Sequence, residues 1–573
     1  MTSSRMLNAK RNAIWGIVYK VVTLFLPFIV RTIMIKTLGA EYLGLSSLFT
    51  SVLNVLSLAE LGFGTAMVYA MYKPIAEDDT DTICALLNLY KKIYRGIGTL
   101  ILVLGLCLMP FIRFFISGNV PTDINIYWLF GIYLINTAVS YFLFAYMSSV
   151  LTACQRHDIP VKVQTCAILV KCLLQIAVLL TIKNYYAYVV ILPVTTIAGN
   201  LATAYFARKY YPQYVCQGEI SSELQHKIKS KTLALLSVKI TSVIYNSVDS
   251  IVISAFLGLT LLTKYNNYYY LMNSIIALIT VIFNSITASL GNSIVVESKE
   301  KNYKDFMNLS FINAWIVGWC SICLFCLYQP FMVIWMGEDM LFENGIMVCF
   351  CIYFYVFQLK SVQSVYKDAA GLWREDMWRA YASNIFNLVV NLLLVRVVGV
   401  YGILLSTILA LLVISYPWQT WIIHKKLFET SMKPYIRNLL VYSAVTVVVA
   451  LITQNICGFV PFAGWTGLFM KAAICVVIPN VLILIIACKT NEFKEMLRII
   501  RKLIKKCEFP KGALGNSKCS LYWYMKKGSV MREWKYDYLR VISTFAVILL
   551  HIESTIRANI ICAFNIFIVI CFK

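Results

Sequence analysis

Four cations sit within apolar stretches of this sequence: Lys20, Arg31, Lys171 and Lys239. Lys20, Thr23, Pro27 and Arg31 follow at spacings of three, four and four, so a helix would carry them on one face. Lys239, Ser242, Asn246 and Asp249 repeat the pattern at three, four and three. Asn54, Ser57 and Glu60 form a shorter polar stripe, and Asn273, Thr280, Asn284 and Thr287 a longer one. A charge at mid-bilayer costs about 2.5–3.5 kcal/mol on insertion scales, so it faces a cavity or a partner unless it snorkels to the interface. Lys20, Arg31, Lys171 and Lys239 lie on the first, fifth and seventh of the apolar runs, where Asp249 is the one anion, and they set the sign. A space of that sign suits an anionic head group such as phosphate or pyrophosphate, which Arg grips bidentately. Arg31, Lys171, Lys239 and Lys20 are therefore the candidates for head-group binding, with Asp249, Asn246, Glu60 and Asn54 for the polar lining and for coupling. Snorkelling competes with that role at Lys20 and Lys239, and plain helix–helix hydrogen bonding at Asn273 and Thr287. A proton or sodium gradient would act through Asp249 or Glu60, with membrane potential alone as the alternative.

The elements that hold these residues follow from composition. Of 573 residues, 60% are hydrophobic and 14% charged, with a mean hydropathy of +0.74. A soluble domain carries about 25% charged residues and about 45–50% apolar ones. The class that remains is an all-α polytopic membrane protein. Fourteen runs reach the roughly 20 apolar residues a spanning helix needs. They lie near 12–35, 43–71, 94–116, 125–152, 161–182, 186–206, 233–257, 265–295, 308–335, 345–367, 380–398, 400–423, 437–456 and 465–488. Most of the 18 Cys lie inside such runs, where Cys behaves as a small buried hydrophobe. Cys320 and Cys323 form a CxxC without a second pair or a nearby His, so neither a metal nor a structural disulfide is expected. Of the four His, three (His157, His226 and His424) fall in basic polar stretches. No paired carboxylates, nucleophile–base set or phosphate loop appears, so the chain reads as neither an enzyme nor a cofactor protein.

The connections between runs differ in charge. Alternate loops hold 25 Lys and Arg against 5 in the others, which places both ends of the fourteen-helix unit in the cytoplasm. The net charge of +24 is thus spread over the inner loops and not gathered into a groove, which argues against a nucleic-acid partner.

A weak repeat divides the unit. Arg31 precedes Leu38-Gly39 and a run opening Tyr42-Leu43-Gly44-Leu45, while Asp249 precedes Leu257-Gly258 and a run opening Tyr265-Asn266-Asn267-Tyr268. The pattern predicts two pseudo-symmetric six-helix lobes with a site between them, as in alternating-access transporters. The expected divisions are an N-terminal lobe (1–208), a basic cytoplasmic linker (209–232), a C-terminal lobe (233–424), two extra helices (425–489), a basic tail (490–535) and a final apolar segment (536–573). A monomer is the default.

Several stretches resemble a known family. Arg11-Asn12-Ala13-Ile14-Trp15-Gly16, RTIMIKTLGAEYLGLSSLFTSVLNVLSLAELGFGTAMVYAMYKPIAEDD (31–79), LTACQRHDI (151–159) and NSVDSIVISAFLG (246–258) are similar to the Wzx-type polysaccharide exporters. The resemblance implies the multidrug/oligosaccharidyl-lipid/polysaccharide exporter superfamily, with two bundles around a central cavity. It implies flipping of an undecaprenyl-pyrophosphate-linked oligosaccharide across the bacterial cytoplasmic (inner) membrane for surface polysaccharide. Polysaccharide polymerase and glycosyltransferases are the partners that role implies. A lipid II flippase or a cation-coupled drug exporter of the same superfamily is the alternative. The tail, from Tyr536-Asp537-Tyr538-Leu539-Arg540 into VISTFAVILLHIES (541–554), resembles the opening of the type 3 membrane acyltransferases. In that family's pattern His551 would be the catalytic His and Arg540 its Arg. Because the chain ends at Lys573, the tail reads as a fused or frameshifted fragment without activity, and an acyltransferase as the remote alternative.

Overall fold

The computed structural model describes residues 2–60, 63–118, 120–220, 243, 247–488, 490, 492–495 and 497–498. Lys239, Ser242, Asn246, the linker beyond residue 220 and the tail with Arg540 and His551 lie outside them. The described residues form helices and no strand. The first group is α1 (Thr2–Thr37), α2 (Ala40–Leu56), α3 (Phe63–Ala76), α4 (Thr80–Leu108), α5 (Ile126–Phe142), α6 (Met147–Ala153), α7 (Asp158–Thr181) and α8 (Tyr185–Tyr210). The second is α9 (Ser247–Leu257), then α10 (Leu259–Ser285), α11 (Thr287–Val296), α12 (Lys299–Met336), α13 (Asn344–Leu359), α14 (Ser361–Ala369), α15 (Trp373–Val398), α16 (Val400–Leu409) and α17 (Tyr416–Ile422). Two further helices, α18 (Lys433–Gly458) and α19 (Gly464–Ala487), close the described chain.

Eleven helices are long and apolar enough to cross a membrane, and twelve if the bent pair α5–α6 counts as one span. Two runs expected to be continuous are broken. The run 43–71 passes from α2 into a 3₁₀ turn, Ser57–Glu60, before α3 begins at Phe63. The run 125–152 bends by 52° between α5 and α6, where Phe144 adopts a left-handed φ of 57°. Apolar count cannot show such breaks, because the residues that cause them are themselves apolar or small. The run 400–423 is extended, through π-helical turns at Ala410–Ser415 and Ile423–Phe428. That extension corrects the placement of His424. The ring is buried, its Nδ1 2.9 Å from the Thr420 carbonyl, packed against Phe306, Phe428 and Tyr435.

Local chemistry starts the helices. Asp79 caps α4 by accepting from the Thr82 amide at 3.0 Å, and hydrogen bonds from the Thr82 hydroxyl and then its amide hold the carboxyl below the usual range. Asn125, Asn184 and Ser298 cap α5, α8 and α12 in the same way. The two Leu-Gly turns are alike in detail. Gly39 and Gly258 have φ of 121° and 94°, a region that favours glycine. Each amide reaches back five residues, Gly39 to the Met34 carbonyl at 3.3 Å and Gly258 to Ile253 at 3.0 Å, closing the helix before it.

In the first group α1 packs on α7, α7 on α8, and α5 on α4 and α8; in the second α15 packs on α16, α12 on α13, and α13 on α10 and α16. Helices α18 and α19 lie against α12 and against each other. The two groups meet where α2 packs on α10. Because successive spans alternate in direction, the glycine turns share one end of the bundle and the basic loops the other. At the basic end two of the sequence stretches quoted above join. The Asn12 Oδ1 accepts from the Asp158 amide at 2.7 Å, and the buried Asp158 carboxylate pairs with Arg156 at 3.0 Å and Lys162 at 2.8 Å. Lys162 also lies 5.2 Å from the Trp15 ring centroid, so the start of α1 is fastened to α7.

Candidate functional site

Arg31 stands on α1 two turns from its glycine end and points across to the second group. Its Nη2 donates to the Asn267 Oδ1 at 2.8 Å, and its guanidinium carbon lies 5.4 Å from the Tyr270 ring centroid. Among the described residues no carboxylate pairs with it, and its buried Nε has no partner. Around it the seam is aromatic and tight. Phe28 stacks on Trp335 at 4.2 Å, the Trp335 indole donates to Thr32 Oγ1 at 2.6 Å, and the Tyr270 hydroxyl donates to the Leu24 carbonyl. Nearer the turns, Thr263 donates to the Ala40 carbonyl at 2.7 Å and Thr260 to Glu41 at 3.0 Å. The Ser117 amide also donates to the Ser254 carbonyl, at 2.8 Å. At Gly44 the backbones nearly touch, since a Cβ there would stand 2.5 Å from the Leu259 carbonyl oxygen. These contacts gather in the half of the bundle that carries the glycine turns.

Lys20 lies eleven residues before Arg31, almost exactly aligned on the same helical stripe and about 16 Å nearer the basic end. It is exposed, although the residues above it on that stripe touch the second group. The opposite face of α1 exposes Ile17, Val21, Phe25 and Ile29, an apolar surface suited to lipid. Lys171 sits midway along α7, half-buried, without a hydrogen bond or ion pair among the described residues. Three of the four expected cations are thus placed, and two of them share the face of α1 turned to the second group.

The carboxylates have separate surroundings. Glu60 accepts from Tyr94 at 2.6 Å and Tyr141 at 2.5 Å, and Tyr90 donates in turn to Tyr94 at 2.9 Å. With Asn54, Asn136 and Ser247 it lines a cavity of about 560 Å³ between the first group and the start of α9. Asp249 is not brought to Arg31. It is buried within the second group, accepting from Asn391 of α15 at 2.9 Å and Tyr265 of α10 at 3.2 Å. Arg31 on the polar face of α1 thus turns to the second group, whereas Asp249 turns into its own group. Asn273, expected to bond between helices, is exposed.

Residues 9–289 match the sequence model of the family described as polysaccharide biosynthesis protein. That stretch is 281 of the 573 residues, and through it the chain resembles that family. No curated protein sequence matches it. Among solved structures it is similar to the lipid II flippase MurJ in an inward closed conformation, with a TM-score of 0.60 at 14% identity, over 83% of this chain and 98% of that one. An inward-facing multidrug resistance transporter of the MATE family, in the MOP superfamily, gives 0.53 at 14% identity, over 69% and 93%. The chain is a multi-pass membrane protein with the fold of these transporters.

Sequence spacing missed the partners of these charges. Asn267 and Tyr265 belong to the Tyr-Asn-Asn-Tyr stretch that opens α10, read from sequence only as a landmark of the repeat. That stretch serves both charges, Asn267 holding Arg31 and Tyr265 holding Asp249. The phenols around Glu60 come from α4 and α5, and no spacing rule joins them to residue 60.

Proposed function

We propose that this chain is a flippase that carries an undecaprenyl-pyrophosphate-linked oligosaccharide across the bacterial cytoplasmic membrane for surface polysaccharide assembly. The observation that supports this most is Arg31: a guanidinium inside the bundle, held by a neutral amide, with a buried N–H unpartnered. A cation kept without a counter-ion in a low-dielectric setting is poised for an anionic ligand, because a charged acceptor repays its desolvation as Asn267 cannot. Lys20 extends the same sign toward the basic end, with Lys171 and Lys239 as further head-group cations. In this reading the basic end is cytoplasmic, the space below Arg31 admits the head group from that side, and the glycine-turn seam is the closed outer gate. The chain works by alternating access, with a lipid-linked sugar as substrate and the bilayer as its medium. It acts as a monomer alongside polysaccharide polymerase and glycosyltransferases. Glu60 and Asp249 are the groups through which a proton or sodium gradient would drive it.

The likeness to a lipid II flippase favours one second reading, with the same head-group chemistry on a different sugar. An exporter of organic cations would want the opposite sign along α1. The test is complementation. Bacteria lacking their polysaccharide flippase are supplied with the full-length chain, and surface polysaccharide is measured. Restoration supports the proposal. Failure there, with rescue of a strain lacking its lipid II flippase, transfers the assignment to lipid II.

A further inference from the structure

Three cysteines from three helices converge away from the seam. Cys326 of α12, Cys457 of α18 and Cys475 of α19 are all buried, and their sulfurs lie within 4.8 Å of one another. Cys457 and Cys475 are separated by 4.0 Å. A disulfide needs about 2.05 Å between sulfurs, so these are thiols. A metal–thiolate bond of about 2.3 Å in a trigonal plane spaces its sulfurs by about 4 Å, the spacing of Cys457 and Cys475, with Cys326 within 4.8 Å of both. The position is held from outside the cluster. Trp319 donates to the Cys475 carbonyl at 2.9 Å and Trp315 to Asn480 at 2.9 Å, fixing α19 on α12. Ile322, Val449 and Ile483 pack around the sulfurs and keep the site dry.

We infer that Cys326, Cys457 and Cys475 form a trigonal site for a soft monovalent cation, Cu(I), that clips α18 and α19 to α12. Thiolate selects Cu(I) or zinc among common ions. Zinc in a structural site takes four ligands, and among the described residues three sulfurs lie mutually within 4.8 Å; the Cys323 thiol, beside Cys475, donates to the Cys475 carbonyl at 3.8 Å and stands outside that trio. With two thiolates and one neutral thiol, Cu(I) binding releases two protons to water and leaves one net negative charge, against two if all three thiols ionise. Neither cysteine of the CxxC belongs to this trio. Cys326 lies one helical turn beyond Cys323, and its companions stand 131 and 149 residues away.

The test uses the purified full-length chain in detergent, reduced and free of oxygen, with Cu(I) offered against a competing chelator. We expect one Cu(I) retained per chain, three sulfur neighbours at about 2.3 Å by X-ray absorption, and a melting temperature that rises with Cu(I). Cys457→Ser and Cys475→Ser should each cut retained Cu(I) at least tenfold, while Cys107→Ser, at an exposed thiol elsewhere, should leave it unchanged. The inference is overturned if the wild-type chain retains no Cu(I), or if absorption shows nitrogen or oxygen neighbours. It is equally overturned if zinc is retained in preference, if the two serine variants hold Cu(I) as the wild type does, or if the membrane-extracted chain carries a Cys457–Cys475 disulfide. The absorption measurement needs no variant, so a misfolded substitution does not blunt the test.

Discussion

Arg31 of α1 and Asn267 of α10, 236 residues apart, meet at 2.8 Å across the seam between the two helix groups. The bond joins a cation to a neutral amide, so its strength lies below that of an ion pair and an arriving anion can replace it. We expect Arg31→Ala to lower surface polysaccharide at least tenfold in complemented cells while immunoblots show normal membrane insertion. Arg31→Lys keeps the charge but loses the planar fork and should recover only part of the activity. Asn267→Ala should be milder than either. Full activity in Arg31→Ala would remove the basis for the head-group assignment.

Gly44 leaves no room for a methyl group beside the Leu259 carbonyl. Gly44→Ala should therefore destabilise by about 1–3 kcal/mol, read as a lower melting temperature in detergent. Gly16, with nothing within 4 Å of an added Cβ, is the matched control, and Gly16→Ala should be neutral or slightly stabilising.

The twin turns offer a test of the repeat. Gly39→Ala and Gly258→Ala each force an L side chain into a positive φ at the same point of the same five-residue loop. Each should cost about 1 kcal/mol or more, and the two losses should be similar. A large loss at one and none at the other would speak against equivalent lobes.

Asn12 satisfies the amide at the head of α7 from 146 residues away. Asn12→Ala strips that partner, and a buried donor left unmade costs about 1–3 kcal/mol. Thermal melts should show the loss, and Asn12→Asp, which keeps an acceptor but sets a second carboxylate beside Asp158, should not restore it fully.

Glu60 is wrapped by two phenols that donate to it, and Asp249 by one phenol and one amide. If a proton gradient drives transport through Glu60, Glu60→Gln should abolish the dependence of flipping on an imposed pH difference in proteoliposomes. Tyr94→Phe should weaken that dependence without removing it. Asp249→Asn run in parallel assigns the coupling group, since only the responsible carboxylate should remove the response.

Much of this architecture is legible in the sequence because a bilayer makes simple demands. Long apolar runs became helices, and the charge alternation of the loops follows their up-and-down course. The three-four-four spacing from Lys20 to Arg31 placed both on one face of α1, which periodicity alone fixes. What periodicity cannot fix is the neighbour. Asp249 ends a similar stripe, yet it faces α10 and α15, because Tyr265 and Asn391 of its own helix group close over it. The break after Ser57 is hidden for a related reason: a short polar stripe reads the same on a straight helix as on a broken one. The three thiols at α12, α18 and α19 escaped because their meeting depends on how the last two helices pack, which no local pattern encodes.

The contact at Gly44 also has a mechanical side. Helices α10 and α11 run 38 residues from Leu259, a contour of about 57 Å. With one end pressed backbone to backbone, the pair is a lever whose fulcrum has almost no slack. A turn of about 5° at Leu259 would swing the far tip by about 5 Å, so the smallest rotation at this contact is magnified along the pair.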